Sequence, residues 1–191
     1  MYFERPKRYT RNRKYAKQRD NTKENKIMAT RSVVGRTVGN EDTWIGKYVH
    51  WDGYPSNMVP TLIELVLRHN LNDVVSTLVF EQPSWSSLSF ERPIYLKEED
   101  DHIAGYGIPS AHKEELWITW ESEDVMCTEF AYIFDPSTKS LYVLSRDDER
   151  QRWVKSDIID LGAIIYRVRN GESTIEEEIT KSWQSQSVLA I

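Results

Sequence analysis

Eight residues, Tyr48-Val49-His50-Trp51-Asp52-Gly53-Tyr54-Pro55, constrain the fold more than any other stretch of this chain. A strand-like run enters them and a helix-like run leaves them. Gly53 gives a strand nothing to pack, and Pro55 removes a ladder donor, so the strand has to end here. The entering strand is the second arm of a hairpin. Thr30 to Arg36 is β-branched and alternating, Gly39-Asn40-Glu41-Asp42 is a turn cluster, and Trp44 to His50 resumes strand character. Past the junction, Ser56 or Asn57 can cap a helix with Pro60 in its first turn. Leu62, Ile63, Val66 and Leu67 make one apolar stripe, which His69-Asn70 ends. Asn72 or Asp73 then caps a second short helix running to Phe80.

Residues 81–112 are punctuated by Pro83, Pro93, Pro109, Gly105 and Gly107, which predicts a long loop with one or two short elements. Strands return at Leu116 to Trp120. Thr128 to Phe134 and Leu141 to Ser145 flank Asp135-Pro136-Ser137-Thr138-Lys139, a second hairpin. Gln151 to Val154 adds an edge strand, Asp157 to Val168 fits neither helical nor strand period, and Thr174 to Trp183 is a polar surface helix. The expected fold class is α+β: an antiparallel sheet of about five or six strands, two hairpins among them, with helices packed on one face. No βαβ rhythm, Gly-x-Gly-x-x-Gly or Walker loop is present, so a parallel nucleotide-binding fold is not expected.

Charge divides the chain. Residues 1–27 carry ten Lys/Arg against three Asp/Glu, and the rest carries fifteen against twenty-seven. The expected organisation is a basic N-terminal extension, 1–27, on one acidic domain, 28–191. Three readings of the extension stand: a solvated flexible tail, residues preceding a true start at Met28, or a nucleic-acid arm. The arm would use Arg8, Arg11, Arg13, Lys14 and Lys17 for phosphates and Tyr9 and Tyr15 for stacking. With 12% aromatics and seven Trp, the core is expected to rest on large rings.

The single cysteine, Cys127, allows no disulfide within the chain and reads best as a small buried side chain; as a nucleophile it would need His102 or His112 beside it. No apolar run reaches the roughly 18–20 residues of a membrane span, and no secretory leader is evident, so a cytoplasmic protein without a membrane partner is expected. His50, His69, His102 and His112 lack metal-ligand spacing, and the acidic run Lys97 to Asp101 lacks a calcium-loop pattern, so no metal and no cofactor is expected.

The junction is the candidate site. His50 can act as a general base near neutral pH, with Asp52 orienting it or acting alone. Strand alternation would put His50 and Asp52 on one face and Trp51 on the other. Arg31 and Ser32, on the partner arm, would add a guanidinium and a hydroxyl for an anionic ligand, with Trp51 and Tyr54 offering ring faces to a base. The blander reading is a buried turn in which Trp51 and Tyr54 pack while Asp52 accepts backbone N–H bonds or pairs with Arg31. Both stay open.

Met28-Ala29-Thr30-Arg31-Ser32 followed by His50-Trp51-Asp52-Gly53-Tyr54-Pro55 resembles a family of small hypothetical proteins encoded by bacteriophages and some bacteria. The similarity covers Met28 to about Asn70 and, more loosely, the hairpin Phe130 to Val143. Many members carry a Cys where this chain has Val49, so no thiol role carries over. The resemblance implies a phage or prophage accessory protein, and hence the cytoplasm of a bacterial host. Together with the lack of a complete catalytic constellation and the charge split, it favours a binding protein with a host-takeover or anti-defence role, whose partner is a host protein or a small nucleotide-like anion. It supplies no reaction. A small hydrolase or transferase using His50 and Asp52 is the alternative, and nucleic-acid binding through residues 1–27 a third. The oligomeric state is not set by the sequence.

Overall fold

A computed structural model of the chain describes residues 30–94, 101–110, 115–119, 128–147, 149–150 and 152–188. The readings placed on residues 1–27, on Lys97 to Asp100, on His112 and on Cys127 lie outside them. The strands are β1 (Ser32–Val38), β2 (Asn40–Val49), β3 (Ser84–Leu88), β4 (Gly107–Ser110), β5 (Glu115–Thr119), β6 (Phe130–Asp135), β7 (Ser140–Asp147) and β8 (Arg152–Asp160). The helices are α1 (Pro55–Arg68), α2 (Leu71–Val75), α3 (Leu161–Arg169) and α4 (Ile175–Val188), with a π-helical turn, Ser76–Glu81, continuing α2.

The class is α+β, as the sequence predicts, but the sheet is larger than expected and mixed. Eight strands run in the order β4-β3-β2-β1-β6-β7-β8, with β5 also on β2. Two pairings are parallel, β1 with β6 and β2 with β3. Neither is a hairpin contact, so neither leaves a turn signature in the sequence. Both predicted hairpins form. In the first, β2 starts already at Asn40, and Gly39 alone makes the turn at φ +68°.

The boundaries differ in ways the side chains explain. Pro55 opens α1 and Tyr54 caps it, so Pro60 falls inside the helix rather than in its first turn. Asn70, not Asn72 or Asp73, caps α2, its side chain accepting from the Asp73 amide at 3.0 Å. The punctuated stretch 81–112 contains two strands, β3 and β4. The run from Asp157 to Val168 resisted assignment because it is two elements joined at Asp160. That carboxylate ends β8 and caps α3, accepting from the Ala163 amide at 2.8 Å. Thr174 and Glu177 form a reciprocal capping box at the start of α4, with bonds of 3.1 and 2.9 Å.

Period-2 alternation sorts the sheet into two buried faces. Val34, Ile45, Val49, Tyr132, Phe134, Leu141 and Val143 join the apolar stripes of the helices in one core. Leu62, Ile63, Leu65 and Val66 of α1 are all buried there, each worth about 1.5–3 kcal/mol relative to exposure. The opposite face carries Val33, Trp44, Tyr48, Ala131, Ile133, Tyr142, Leu144 and Trp153. Trp44, Trp85 and Trp153 are among the largest fully buried side chains, so the core does rest on large rings. Lys155 lies 4.0 Å from the Tyr142 ring centroid on the second face. On the helical side, α4 packs against α1. Arg167 of α3 ties α4 down through Glu178, with bonds of 3.0 and 2.7 Å. Among the described residues, no helix is long and apolar enough to cross a membrane.

Candidate functional site

The strand-to-helix junction is a joint of named hydrogen bonds. β2 ends at Val49, but His50 and Trp51 still donate their amides to Trp85 O at 3.0 Å and Ser86 O at 2.9 Å, so the chain leaves the sheet along β3. Asp52 then turns it, at φ +60°. Its carbonyl accepts from Asn57 Nδ2 at 3.1 Å. Gly53 donates to Thr30 O at 2.9 Å and accepts from the Tyr132 hydroxyl at 2.7 Å. Burial pushes the Tyr132 phenol well above its ordinary pKa, so this donor keeps its proton throughout the usual pH range. A Cβ on residue 53 would stand 2.6 Å from Thr30 O and 2.9 Å from Ser32 Oγ. Only glycine fits. Thr30-Arg31-Ser32 and His50 to Pro55 are therefore two sides of one packed contact, which explains why both stand out in the sequence.

The side chains of the junction point to different surroundings. Trp51 and Tyr54 are 47% and 48% exposed, and Asp52, between them in sequence, is exposed as well. The Asp52 carboxylate makes no hydrogen bond or ion pair among the described residues. Tyr54 leans on Phe130, with centroids 6.1 Å apart. His50 is half-buried. Its Nδ1 lies 2.9 Å from the Tyr48 hydroxyl, and its ring meets Trp51 edge-on at 4.5 Å.

The sequence leads one to expect strand alternation through this stretch, with His50 and Asp52 on one face and Trp51 on the other; it does not hold, because β2 ends before His50 and Asp52 adopts a left-handed conformation. His50 and Trp51 touch, and His50 and Asp52 do not hydrogen-bond. Arg31 is half-buried and makes no ion pair with Asp52. Its Nε, Thr30 Oγ1 and Ser32 Oγ are buried without a hydrogen-bond partner among the described residues.

The structure thus brings Trp51, Asp52 and Tyr54 together as an exposed tip, with His50 at its flank and Arg31 and Ser32 in its base. Sequence reasoning missed Tyr48, Asn57 and Tyr132. Tyr48 was within reach, since period 2 places it beside His50; Tyr132, 79 residues from Gly53, left no signal. Among the described residues no three His, Cys, Asp or Glu side chains group as metal ligands. No known family model, curated protein or solved structure matches the chain.

Proposed function

We propose that the chain is a binding protein whose contact element is the Trp51–Asp52–Tyr54 tip, and that the tip takes a cationic side chain of a protein partner. One observation carries this reading: two half-exposed rings and an exposed carboxylate with no partner among the described residues lie within four consecutive residues, on backbone fixed by hydrogen bonds on both sides. Ring faces attract Arg or Lys by about 0.5–2 kcal/mol, and a carboxylate adds a charge-assisted bond. Trp and Tyr are the residues that dominate protein interfaces. A fixed loop loses little freedom on binding. The same carboxylate repels a nucleotide-like anion, so of the two ligand classes expected from the sequence the tip favours the protein. The motif resemblance supports an accessory protein of phage or prophage origin that engages a host factor. The hydrolase or transferase reading gains nothing from the geometry, since Asp52 does not orient His50.

The test uses short peptides differing only in Arg, Gln or Glu at the centre, titrated onto the full chain while the Trp51 indole N–H resonance is followed. The Arg peptide is expected to shift it saturably. Asp52→Asn should weaken that binding about tenfold, the equivalent of ~1.4 kcal/mol. Preference for the Glu peptide, or unchanged affinity in Asp52→Asn, would sink the proposal.

A further inference from the structure

At the other end of α1, four segments line a partly open cavity of about 270 Å³, with Asn72, Lys139 and Arg169 exposed at its rim. Its walls come from the last turn of α1, the His69–Asn72 junction, the β6–β7 turn and α3. Leu71, Ile165 and Val168 give it an apolar side; Lys139 and Arg169 bring two positive charges, and Asn72 a side-chain amide. Neither cation makes an ion pair among the described residues. Three carboxylates on the neighbouring segments make local hydrogen bonds of their own. Asp73 accepts from the Asn70 amide, Asp160 caps α3, and Asp135 Oδ1 accepts from Ser137 N and Oγ at 2.9 and 2.6 Å. Burial alone would raise the Asp135 pKa, but these bonds with those from Thr138 hold it below the ordinary value, so it stays an ionised anchor of the turn.

Lys139 is the telling residue. It sits at φ +54°, a conformation that favours glycine or asparagine. Its carbonyl is fixed by Gly162 N at 3.0 Å. Arg169, in the last turn of α3, is accounted for by the negative end of the helix. Lys139 is on no helix, so that account does not reach it. Two cations from separate segments, beside an apolar wall, make a site for a charged head on an apolar body. The volume falls just under the range of about 300–1,000 Å³ for drug-sized ligands, so the body is a single ring or a short chain.

We propose that this cavity binds a small organic anion, its carboxylate or phosphate held by Lys139 and Arg169 and its apolar part packed on Leu71, Ile165 and Val168. α1 separates it from the aromatic tip by about 20 Å, the length of a fourteen-residue helix, and the two sites stand or fall independently.

Isothermal titration of the full chain with phenyl phosphate and benzoate tests it, with phenol and inorganic phosphate as partial probes. Saturable binding of either aromatic anion at about 1 mM or tighter is expected, with both partial probes weaker. Lys139→Gly and Arg169→Gln should each weaken it, and the pair together at least about tenfold; Asp52→Asn should leave it unchanged. Lys139→Gly suits the backbone at that position, so a fall in affinity there cannot be laid to misfolding. No saturation, phenol binding as tightly as phenyl phosphate, or full affinity in the double variant would each overturn the assignment.

Discussion

The two ends of α1 are opposites. At its N-terminus the chain presents an exposed, acidic, aromatic tip within the four consecutive residues Trp51 to Tyr54. At its C-terminus it presents a concave, basic pocket assembled from four segments. They share one feature. Each places a charged residue in the left-handed region, Asp52 at φ +60° and Lys139 at φ +54°. For a side chain with a Cβ that conformation costs roughly 1–2 kcal/mol. In both places the charge stands where the backbone accepts glycine without strain, although Asp tolerates this conformation better than Lys and the Lys139 stem runs beside Gly162. The contrast shows that strain of this kind can mark a candidate site whether the site protrudes or recedes.

The sharpest way to separate the two ends is to break one joint and leave the other. Gly53→Ala drives a methyl group into Thr30 O and Ser32, and should cost about 3 kcal/mol in chemical denaturation. Peptide binding at the tip should fall, while phenyl phosphate binding by the folded protein persists. Wild-type stability in this variant would mean that the tip is not built on a rigid joint.

The reverse experiment loosens α3. Glu178 is buried and accepts from Arg167 and Lys181. The Arg167 hydrogen bonds lead in pulling its pKa from 4.5 to about 2. Because the folded value lies below the unfolded one, this stability is complete above pH 4.5 and is lost as the pH falls toward about 2. Glu178→Gln should cost about 2 kcal/mol at neutral pH and flatten the acid limb of a stability-versus-pH curve. Affinity should fall at the cavity, whose wall α3 supplies, and hold at the tip.

The smallest effects are the most discriminating. Asp52→Gly and Lys139→Gly should each stabilise the fold by about 0.5 kcal/mol, the relieved strain less the added freedom of the unfolded chain. Each should weaken binding at its own end only, read by denaturation and titration in parallel. A loss of stability in either variant would show that the charge has a structural partner, and would remove that end from consideration.

What could be read from the sequence follows from how locally each feature is encoded. The hairpins were legible because their turns are contiguous. The junction was legible because Gly53 and Pro55 exclude a continuing strand. Its geometry was not, because alternation was extended past Val49 into residues that have already left the sheet. The parallel pairings were invisible, since Ser32 meets Phe130 and Val49 meets Trp85 without any turn to announce them. β8 and α3 blurred together because one residue, Asp160, ends the first and caps the second. The cavity had no sequence signature at all: Asn72, Lys139 and Arg169 converge only after the helices have packed.

The pairing of β1 with β6 also sets the order in which the protein can be made. As the chain emerges from the ribosome, the first hairpin is complete early, but the partner of its outer edge, beginning at Phe130, has not been synthesised. At about 5–20 residues per second the nascent hairpin waits roughly 4–16 s for that strand. During this interval β1 offers unpaired amides and carbonyls beside Val33 and Val34, an edge suited to pairing with another chain. The yield of folded protein should therefore depend on the translation rate between β2 and β6 and on holdase chaperones present during synthesis, even though the finished molecule keeps that edge inside its sheet.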